Sequence, residues 1–304
     1  MKIFNNLIAA ILPHFPHFLV RPFAKPYVAG ETLTEAIKHA KELNQSGYKV
    51  TLDILGEHVQ TIAEADLICK AYCALLEDIN SERLDSTISF KLTHVGLELN
   101  QKAAIANTLT ITEKAKSLDI PVTIDMENSP YTDATINIYQ RAHSKFNKVG
   151  MVLQAYLIRS LEDLKTLDAT NFHLRICKGI YREAADIALQ NREEIRTNFI
   201  NLTQTLLNGH GFAAIATHDK VLIDALTEWI EDNKIPKNRF EFQVLHGVPM
   251  GDRLERLLAR GYTIRIYMPF GSAWFDYAVR RLKENPDLAG YIIGNLFKRK
   301  TSKG

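Results

Sequence analysis

Short apolar segments and longer amphipathic segments take turns along the chain from residue 48 onward. The apolar segments span residues 49–55, 87–92, 121–126, 149–155, 172–177, 212–217, 240–245 and 262–268. Several of them are apolar at almost every position, which is typical of strands buried on both faces of a parallel sheet. Helical periodicity lies between them, for example at 63–79, 102–118, 160–168, 183–207 and 221–233. The pattern predicts eight strands that alternate with helices.

Eight strand–helix repeats predict an α/β fold of the (βα)8 type, a TIM-type barrel with its helices outside. The chain has no G-x-G-x-x-G segment, which disfavours a doubly wound dinucleotide-binding sheet. The eighth helix is expected at 277–284, between a possible N-cap at Ser272 and the Asn285-Pro286 pair. We predict three parts: an N-terminal arm over 1–47 with a helix at 34–44, the barrel over 48–297, and a basic tail over 298–304.

The N-terminal arm contains a short apolar run, LIAAIL at 7–12, which Pro13 and Pro16 soon interrupt. No uncharged run in the chain reaches 18 residues, so a transmembrane span is not expected. A signal peptide agrees with the composition but is weakly supported. The two remaining interpretations are an arm that packs on the barrel, which we favour, and an amphipathic segment that rests on a membrane surface.

Charge and cysteine content exclude several classes of protein. Lys and Arg number 37 against 35 Asp and Glu, so the chain lacks the basic character of a nucleic-acid-binding protein. The three cysteines give no disulfide framework, and the ten histidines form no recognisable metal motif. We expect a cytoplasmic protein without a metal site, in the size range of a single barrel.

Polar residues stand at or near the end of every predicted strand. Barrel enzymes place their active sites at the carboxyl ends of the strands, although loops are polar anyway and about half of these residues are expected there by chance. Arg175 and Gln154 lie inside apolar strands, where an unpaired buried charge is unfavourable by several kcal/mol. They therefore imply partners or a bound ligand, and a cofactor with phosphate groups would account for the cations of the later strands. The polar residues are Glu57, Lys91, Asp125, Gln154, Arg175, Lys178, Thr217, His218, Gln243 and Tyr267.

Two adjacent arginines, Arg280 and Arg281, stand in the middle of the eighth predicted helix. Taken alone, they are more simply explained as a solvated helix face with an Arg280–Glu284 pair, worth a few tenths of a kcal/mol. A pair of guanidinium groups is also a strong anchor for a small carboxylate, because each binds it through two hydrogen bonds. The remaining motifs favour the second interpretation.

Ten segments of the chain occur in the order typical of one family. They are YVAGETLTEA (27–36), LDILGE (52–57), FKLTHVG (90–96), TIDMEN (123–128), LQAYL (153–157), LRICKGIY (174–181), ATHD (216–219), FEFQVLHG (240–247), RIYMPFG (265–271) and YAVRRLKEN (277–285). On these segments the chain resembles the proline dehydrogenases, in particular the short monofunctional bacterial type. The resemblance extends from about residue 27 to the end of the last helix.

The resemblance implies a distorted (βα)8 barrel that holds FAD without a covalent bond. It implies that L-proline is oxidised to Δ1-pyrroline-5-carboxylate by hydride transfer to the flavin, and that a membrane quinone accepts the electrons. The product would pass to a separate pyrroline-5-carboxylate dehydrogenase, with which transient contact is conceivable. Peripheral contact with the cytoplasmic face of the inner membrane would also agree with a quinone acceptor.

The resemblance also assigns roles to residues of this chain. Lys91, Arg280 and Arg281 would bind the substrate carboxylate. Asp125, Leu245 and Tyr267 would surround the pyrrolidine ring, with Tyr181 nearby. The FAD would contact Gln154, Arg175, Lys178, Thr217, His218, Gln243 and Glu284. We expect Arg175 to stabilise negative charge on the reduced flavin, and Asp125 to form an ion pair with Lys91 or Arg281.

Two other functions remain open. One is a dehydrogenase of hydroxyproline or a related cyclic amino acid, which Tyr267 disfavours because its phenol leaves little room for a ring hydroxyl. The other is an inactive barrel that acts as a proline sensor or a scaffold. One position departs from the family pattern: Ile180 stands where relatives carry alanine. It would narrow the pocket if it faces the substrate and change little if it faces the wall.

Overall fold

The parallel strands of this chain close into a single eight-stranded barrel. The computed structural model describes residues 27–167, 172–209, 211–275 and 277. The strands are β1 (Lys49–Ile54), β2 (Ser86–Phe90), β3 (Val122–Ile124), β4 (Val149–Gln154), β5 (His173–Cys177), β6 (Phe212–Ala216), β7 (Phe240–Leu245) and β8 (Ile264–Phe270). Each strand pairs with its sequence neighbours in parallel, and β8 pairs with β1. The predicted (βα)8 barrel is confirmed.

Helices follow the strands and cover the outside of the barrel. They are α1 (Leu33–Gln45), α2 (Ile62–Ser81), α3 (Gln101–Ser117), α4 (Thr132–His143), α5 (Ser160–Thr166), α6 (Arg192–Asn208), α7 (Lys220–Asp232) and α8 (Arg253–Ala259). Helix α1 precedes the first strand and begins with a capping box, in which Thr32 and Glu35 each bond to the other's backbone N–H. No helix in the described ranges is long and apolar enough to span a bilayer.

The side chains of each strand alternate between two environments. In β1, Val50 and Leu52 are fully buried and belong to the apolar layer between strands and helices. The intervening Thr51 and Asp53 are also buried, but they bond to side chains of β2 and β8. A period of two therefore sends apolar residues outward and polar residues into the barrel.

Several predicted boundaries are wrong, and the largest error concerns α6. The helix predicted from residue 183 begins at Arg192, because the segment before it forms turns and a bridge between Leu157 and Ala188. Asn191 then caps the helix by accepting bonds from the N–H groups of residues 193 and 194. Strand β8 lies two residues later than predicted, and β3 is only three residues long. Apart from Tyr277, the predicted helix at 277–284 lies outside the described residues, as do most of the arm and the basic tail.

A buried ion pair forms the floor of the barrel. Arg265 on β8 donates to both carboxylate oxygens of Glu241 on β7, at 2.6 and 3.0 Å. Its remaining nitrogen donates to the carbonyl of Val50 at 2.9 Å. Burial alone would raise the pKa of Glu241, but the Arg265 guanidinium outweighs burial and lowers this pKa below its ordinary value. The pair thus joins three neighbouring strands under a carboxylate that remains ionised.

We predict that Glu241→Ala lowers the free energy of unfolding by about 3–5 kcal/mol, because it leaves the Arg265 charge buried without a partner. Urea unfolding at pH 7 measures the change. Because the folded-state pKa of Glu241 is lowered, this contribution is present at neutral pH and is lost as the pH falls through that pKa. Glu255→Ala, on the exposed side of α8, is the control, with an expected change within about 0.5 kcal/mol. A loss below 1 kcal/mol for Glu241→Ala would contradict the role given to the pair.

Candidate active site

A cavity of about 630 Å³ opens at the carboxyl ends of the strands. Every residue to which the family resemblance assigns a role and that the structure describes lines this cavity, whereas Arg280, Arg281 and Glu284 lie outside the described residues. Glu57 lies beyond the end of β1 and does not line the cavity. The predicted residues in its wall are Lys91, Asp125, Gln154, Arg175, Lys178, Tyr181, Thr217, His218, Gln243, Leu245 and Tyr267.

Arg175 crosses the barrel interior from β5. Its Nη1 donates to Asp125, just after β3, at 2.6 Å, and to Ser89 on β2 at 3.2 Å. Its Nε donates to Gln243 on β7 at 2.7 Å. The guanidinium carbon also lies 5.0 Å from the centre of the Tyr267 ring, within cation–π range. One side chain therefore connects five strands or strand ends, and its rigid fork fixes the distances between them.

Gln243 connects the residues around Arg175 to the Arg265–Glu241 pair at the floor of the barrel. Its Oε1 accepts from Arg175, and its Nε2 donates to Glu241 at 2.6 Å. Glu241 in turn holds Arg265. Two ion pairs, one above the other along the barrel axis, are thus connected through one amide whose donor and acceptor are both used.

Asp53 is a site residue that the sequence analysis missed. The residue is 1% exposed, and its Oδ2 accepts from Lys91 at 3.3 Å and from the Tyr267 hydroxyl at 2.8 Å. Its Oδ1 accepts from the hydroxyl of Tyr72 at 3.1 Å. The sequence signal for Asp53 is the alternation in β1, where the polar residues Thr51 and Asp53 interrupt apolar neighbours. At the end of β1, the sequence pattern favoured Glu57 instead of Asp53.

The partner expected for Asp125 was wrong as far as Lys91 is concerned. Asp125 pairs with Arg175, and the carboxylate that contacts Lys91 is Asp53. The other expected partner, Arg281, lies outside the described residues. The oxygen of the Tyr267 hydroxyl also lies 2.9 Å from Asp125, so one hydroxyl group lies between two carboxyl groups.

Burial and charge work against each other in this cluster. Burial raises the pKa of Asp53, and the nearby Lys91 ammonium only partly offsets the effect. Burial also disfavours the charged form of Lys91, but the carboxylates of Asp53 and Asp125 outweigh it and raise its pKa above the ordinary value. For Tyr267, burial and the same two carboxylates raise the pKa far above the usual range. Lys91 is therefore cationic and Tyr267 is a neutral hydrogen-bond donor at pH 7.

Two buried polar atoms in the cavity wall have no hydrogen-bond partner among the described residues. They are Nη2 of Arg175 and Oε1 of Gln154. The amide nitrogen of Gln154 donates to the carbonyls of Met126 and Glu127 at 3.0 and 2.7 Å, which leaves only its oxygen available. A buried donor or acceptor without a partner is unfavourable by about 1–3 kcal/mol. A flat, polar ring system with donors and acceptors on its edge, such as a flavin, would satisfy both atoms.

A second group of charges surrounds Asp219, beside the same cavity. Its carboxylate accepts from Lys178 and from Arg196, the latter at 2.8 Å, and Arg192 lies 3.6 Å away. Burial would raise the pKa of Asp219, but the Arg196 and Lys178 bonds lower it well below its usual range. Three cations around one carboxylate leave an excess of positive charge, which fits a diphosphate group.

His218 and Gly179 fix the backbone on two sides of the cavity. The N–H of Leu245 donates to Nε2 of His218 at 2.9 Å, so this nitrogen carries no proton. Gly179 has a φ of +100°, and a Cβ there would lie 2.1 Å from the ring of Tyr156. Only glycine fits this position, after which the chain turns so that Ile180 and Tyr181 face the cavity. Ile180 is 42% exposed, which places it at the rim.

The chain is similar to known proteins over most of its length. A sequence model of the proline dehydrogenase family matches residues 36–292. Proline dehydrogenase 1 of Bacillus subtilis subsp. natto is 36% identical over 276 residues, which are 91% of each chain. Proline dehydrogenase of Deinococcus radiodurans is 31% identical over 280 residues, 90% of each chain.

A solved structure supports the fold. Proline utilization A from Bdellovibrio bacteriovorus, inactivated by N-propargylglycine, superposes with a TM-score of 0.83 at 23% sequence identity. The match covers 94% of this chain and 37% of that chain, and at this identity it supports the fold alone. The family match, in contrast, extends over most of the sequence and includes the whole described cavity. This chain therefore belongs to the proline dehydrogenase family.

Proposed function

We propose that this protein is an FAD-dependent enzyme that oxidises L-proline to Δ1-pyrroline-5-carboxylate. The observation that carries the proposal is the cavity wall, in which a paired Lys91 ammonium and a partly unsatisfied Arg175 guanidinium lie in one barrel mouth. The first suits a small carboxylate, and the second suits an electron-rich ring. The family membership and the names of its relatives support the same function.

The cofactor is proposed to lie along β4 to β7. Gln154, Arg175 and Gln243 would hold the ring system, and Thr217 and His218 would lie beside it. Lys178 and the neighbouring Asp219 cluster would hold its phosphates. Bound FAD would supply the hydride acceptor. Glu284, from the part of the chain that is not described, remains a predicted contact.

The substrate is proposed to lie between the cofactor and the Lys91 side of the cavity. Lys91 would bind the proline carboxylate, together with Arg280 and Arg281 as predicted from the sequence. Tyr181, Leu245 and Tyr267 would confine the pyrrolidine ring, and Asp125 would hold Arg175 in place.

The proposed reaction needs orientation more than it needs a nucleophile. The ring C–H bond breaks with its electron pair passing to the acceptor, the nitrogen lone pair forms the C=N bond, and the nitrogen loses its proton. Cations on the carboxylate hold the ring in near-attack geometry without touching the reacting carbon. Arg175 would stabilise the negative charge that hydride transfer places on the acceptor.

The later steps are proposed from the family relationship. A membrane quinone would accept the electrons, through peripheral contact of a cytoplasmic protein with the membrane. A separate pyrroline-5-carboxylate dehydrogenase would use the product. Among the relatives, bifunctional PutA proteins contain a region similar to this chain, which covers 23% of the Escherichia coli protein. That arrangement supports a link between the two activities.

We expect the purified protein to carry a flavin whose band near 450 nm bleaches when L-proline is added without oxygen. The measurement is an anaerobic titration followed by visible spectroscopy, with trans-4-hydroxy-L-proline in a parallel titration. Bleaching by proline at much lower concentration than by hydroxyproline is the expected result. A protein without flavin bands would favour the sensor or scaffold, and faster bleaching by hydroxyproline would favour the alternative substrate.

Tyr267→Ser tests the substrate preference. The change opens space beside the ring and offers a small hydroxyl, so we expect the ratio of kcat/KM for hydroxyproline over proline to rise about tenfold or more. Steady-state kinetics with an artificial acceptor give both values. Tyr262→Phe, two residues before β8 and outside the cavity, is the control. An unchanged ratio in Tyr267→Ser would show that Tyr267 does not set the preference.

Arg175→Lys tests the role of the guanidinium fork. Lysine keeps the charge near Asp125 but cannot bond to Asp125, Gln243 and a cofactor together. We expect flavin reduction by proline to slow by about 10²-fold, as for other lost donors at a developing negative charge. Stopped-flow absorbance under nitrogen measures the rate, and Arg159→Lys on the outer helix layer serves as control. A rate within threefold of wild type would contradict the role of Arg175.

A further inference from the structure

Asp53 lies where the two sides of the cavity meet, yet none of the motifs assigns it a role. It is almost fully buried at 1% exposure, and it accepts from Lys91, Tyr267 and Tyr72. Lys91 and Tyr267 line the cavity, whereas Tyr72 belongs to α2 and does not. A buried carboxylate with three donors is held firmly in place. Two of those donors, Lys91 and Tyr267, would contact the substrate in the proposed function.

Other anchors for the Lys91 ammonium are weaker. Among the described residues, Lys91 forms an ion pair with Asp53, whereas Asp125 accepts hydrogen bonds from Arg175 and Ser89. Lysine is a flexible point charge, so its position depends on the carboxylate that it contacts. The titratable groups that interact with it are Asp53 on β1, Glu57 after β1, His94 after β2, Asp125 and Glu127 after β3, and Tyr181 after β5.

The Tyr267 hydroxyl has a similar dependence. It lies 2.8 Å from Asp53 and 2.9 Å from Asp125, and a single hydroxyl proton can be donated to only one of them. Contact with both carboxyl groups holds the phenol at a fixed height in the cavity. Without the Asp53 charge, the Tyr267 hydroxyl would contact the carboxyl group of Asp125 alone. The Lys91 ammonium would then be free to turn toward Asp125.

We propose that Asp53 is a positioning residue, which holds the Lys91 ammonium and the Tyr267 hydroxyl where the pocket binds the carboxylate and ring of its substrate. The inference rests on the proposed function of the same site. It adds a residue that acts through two others and makes no contact with the reacting carbon. Its loss would therefore weaken binding more than it slows the chemical step.

The test compares Asp53→Asn with wild type as FAD-loaded proteins. The first readout is proline kinetics, where we expect KM to rise about tenfold or more and kcat to stay within threefold. The second is calorimetric binding of cyclopentanecarboxylate, which has the ring and carboxylate of proline but no nitrogen to drive hydride loss. We expect its dissociation constant to rise about tenfold at pH 7.5.

The pH dependence of that binding separates positioning from a general loss of structure. The Asp53 carboxylate is the strongest of the influences that raise the pKa of Lys91, so its removal lowers this pKa. As the pH is raised, binding to Asp53→Asn should therefore weaken at a lower pH than binding to wild-type protein does. If Asp53 only repelled the bound carboxylate, Asp53→Asn would bind equally well or more tightly at every pH, and the proposal would be overturned.

Two further variants complete the design. Asp163→Asn removes a carboxylate that is paired with Arg159 outside the cavity, and it should leave KM and binding unchanged. Tyr72→Phe removes one donor to Asp53 from outside the cavity, and we expect a two- to threefold rise in KM with kcat unchanged. This variant decides the question if Asp53→Asn does not fold, and an unchanged KM would then overturn the proposal.

The wild-type data separate this inference from the function on which it rests. Wild-type protein that is neither reduced by proline nor able to bind cyclopentanecarboxylate would overturn the proposed function and this inference together. Wild-type protein that does both, beside an Asp53→Asn protein with the same KM and the same pH profile, would overturn the inference alone.

Discussion

A charge inside a protein must be paired, and this requirement organises the interior of the barrel. Arg265 and Glu241 form a bidentate pair at the floor, and Arg175 and Asp125 form a second pair near the mouth. Gln243 connects the two pairs through one donor and one acceptor. Either pair alone would be of doubtful benefit to stability, because desolvation offsets the attraction between the charges. Together they fix the positions of polar groups on six strands or strand ends, which is what a binding site requires.

The proposed function depends on the polar atoms that this network leaves without a partner. Nearly every hydrogen-bonding atom of Arg175 and Gln154 is used inside the protein, and the remaining donor and acceptor are those in the cavity wall. Lys91 and Tyr267 are likewise held in position by their hydrogen bonds to Asp53. The groups that would meet cofactor and substrate are thus fixed before either binds. Preorganisation of this kind avoids reorganisation during the reaction, and it is a large part of how enzymes lower barriers.

Much of the fold could be predicted because buried parallel strands have a strong local signal. The predicted bounds of β4 and β7 agree with the structure to within one residue, because apolar runs of this length and composition do not favour a helix. The start of α6 was wrong because Glu183 and Ala184 are good helix formers, whereas their actual conformation depends on distant contacts. Glu183 accepts from the N–H and hydroxyl of Ser129, 54 residues away. Local propensity contains no information about such a bond.

The site was predictable as a set of residues but not as a set of pairs. Motifs identified Lys91, Asp125 and Arg175, and all three line the cavity. The sequence could not tell which carboxylate each cation would contact, because that depends on strand tilt and stagger around the barrel. Asp53 was missed for a related reason. Its role is visible only when β1 is placed beside β8, which brings Tyr267 to it from 214 residues away.

The central claim is that the polar network leaves specific atoms of Arg175 and Gln154 for the flavin. A crystal structure of the protein with FAD, at a resolution that shows side-chain contacts, tests it most directly. The account predicts that Nη2 of Arg175 and Oε1 of Gln154 each lie within hydrogen-bond distance of the flavin ring, while Asp125 and Gln243 keep their bonds to Arg175. A flavin bound elsewhere, or an Arg175 that leaves Asp125 to reach it, would contradict the account.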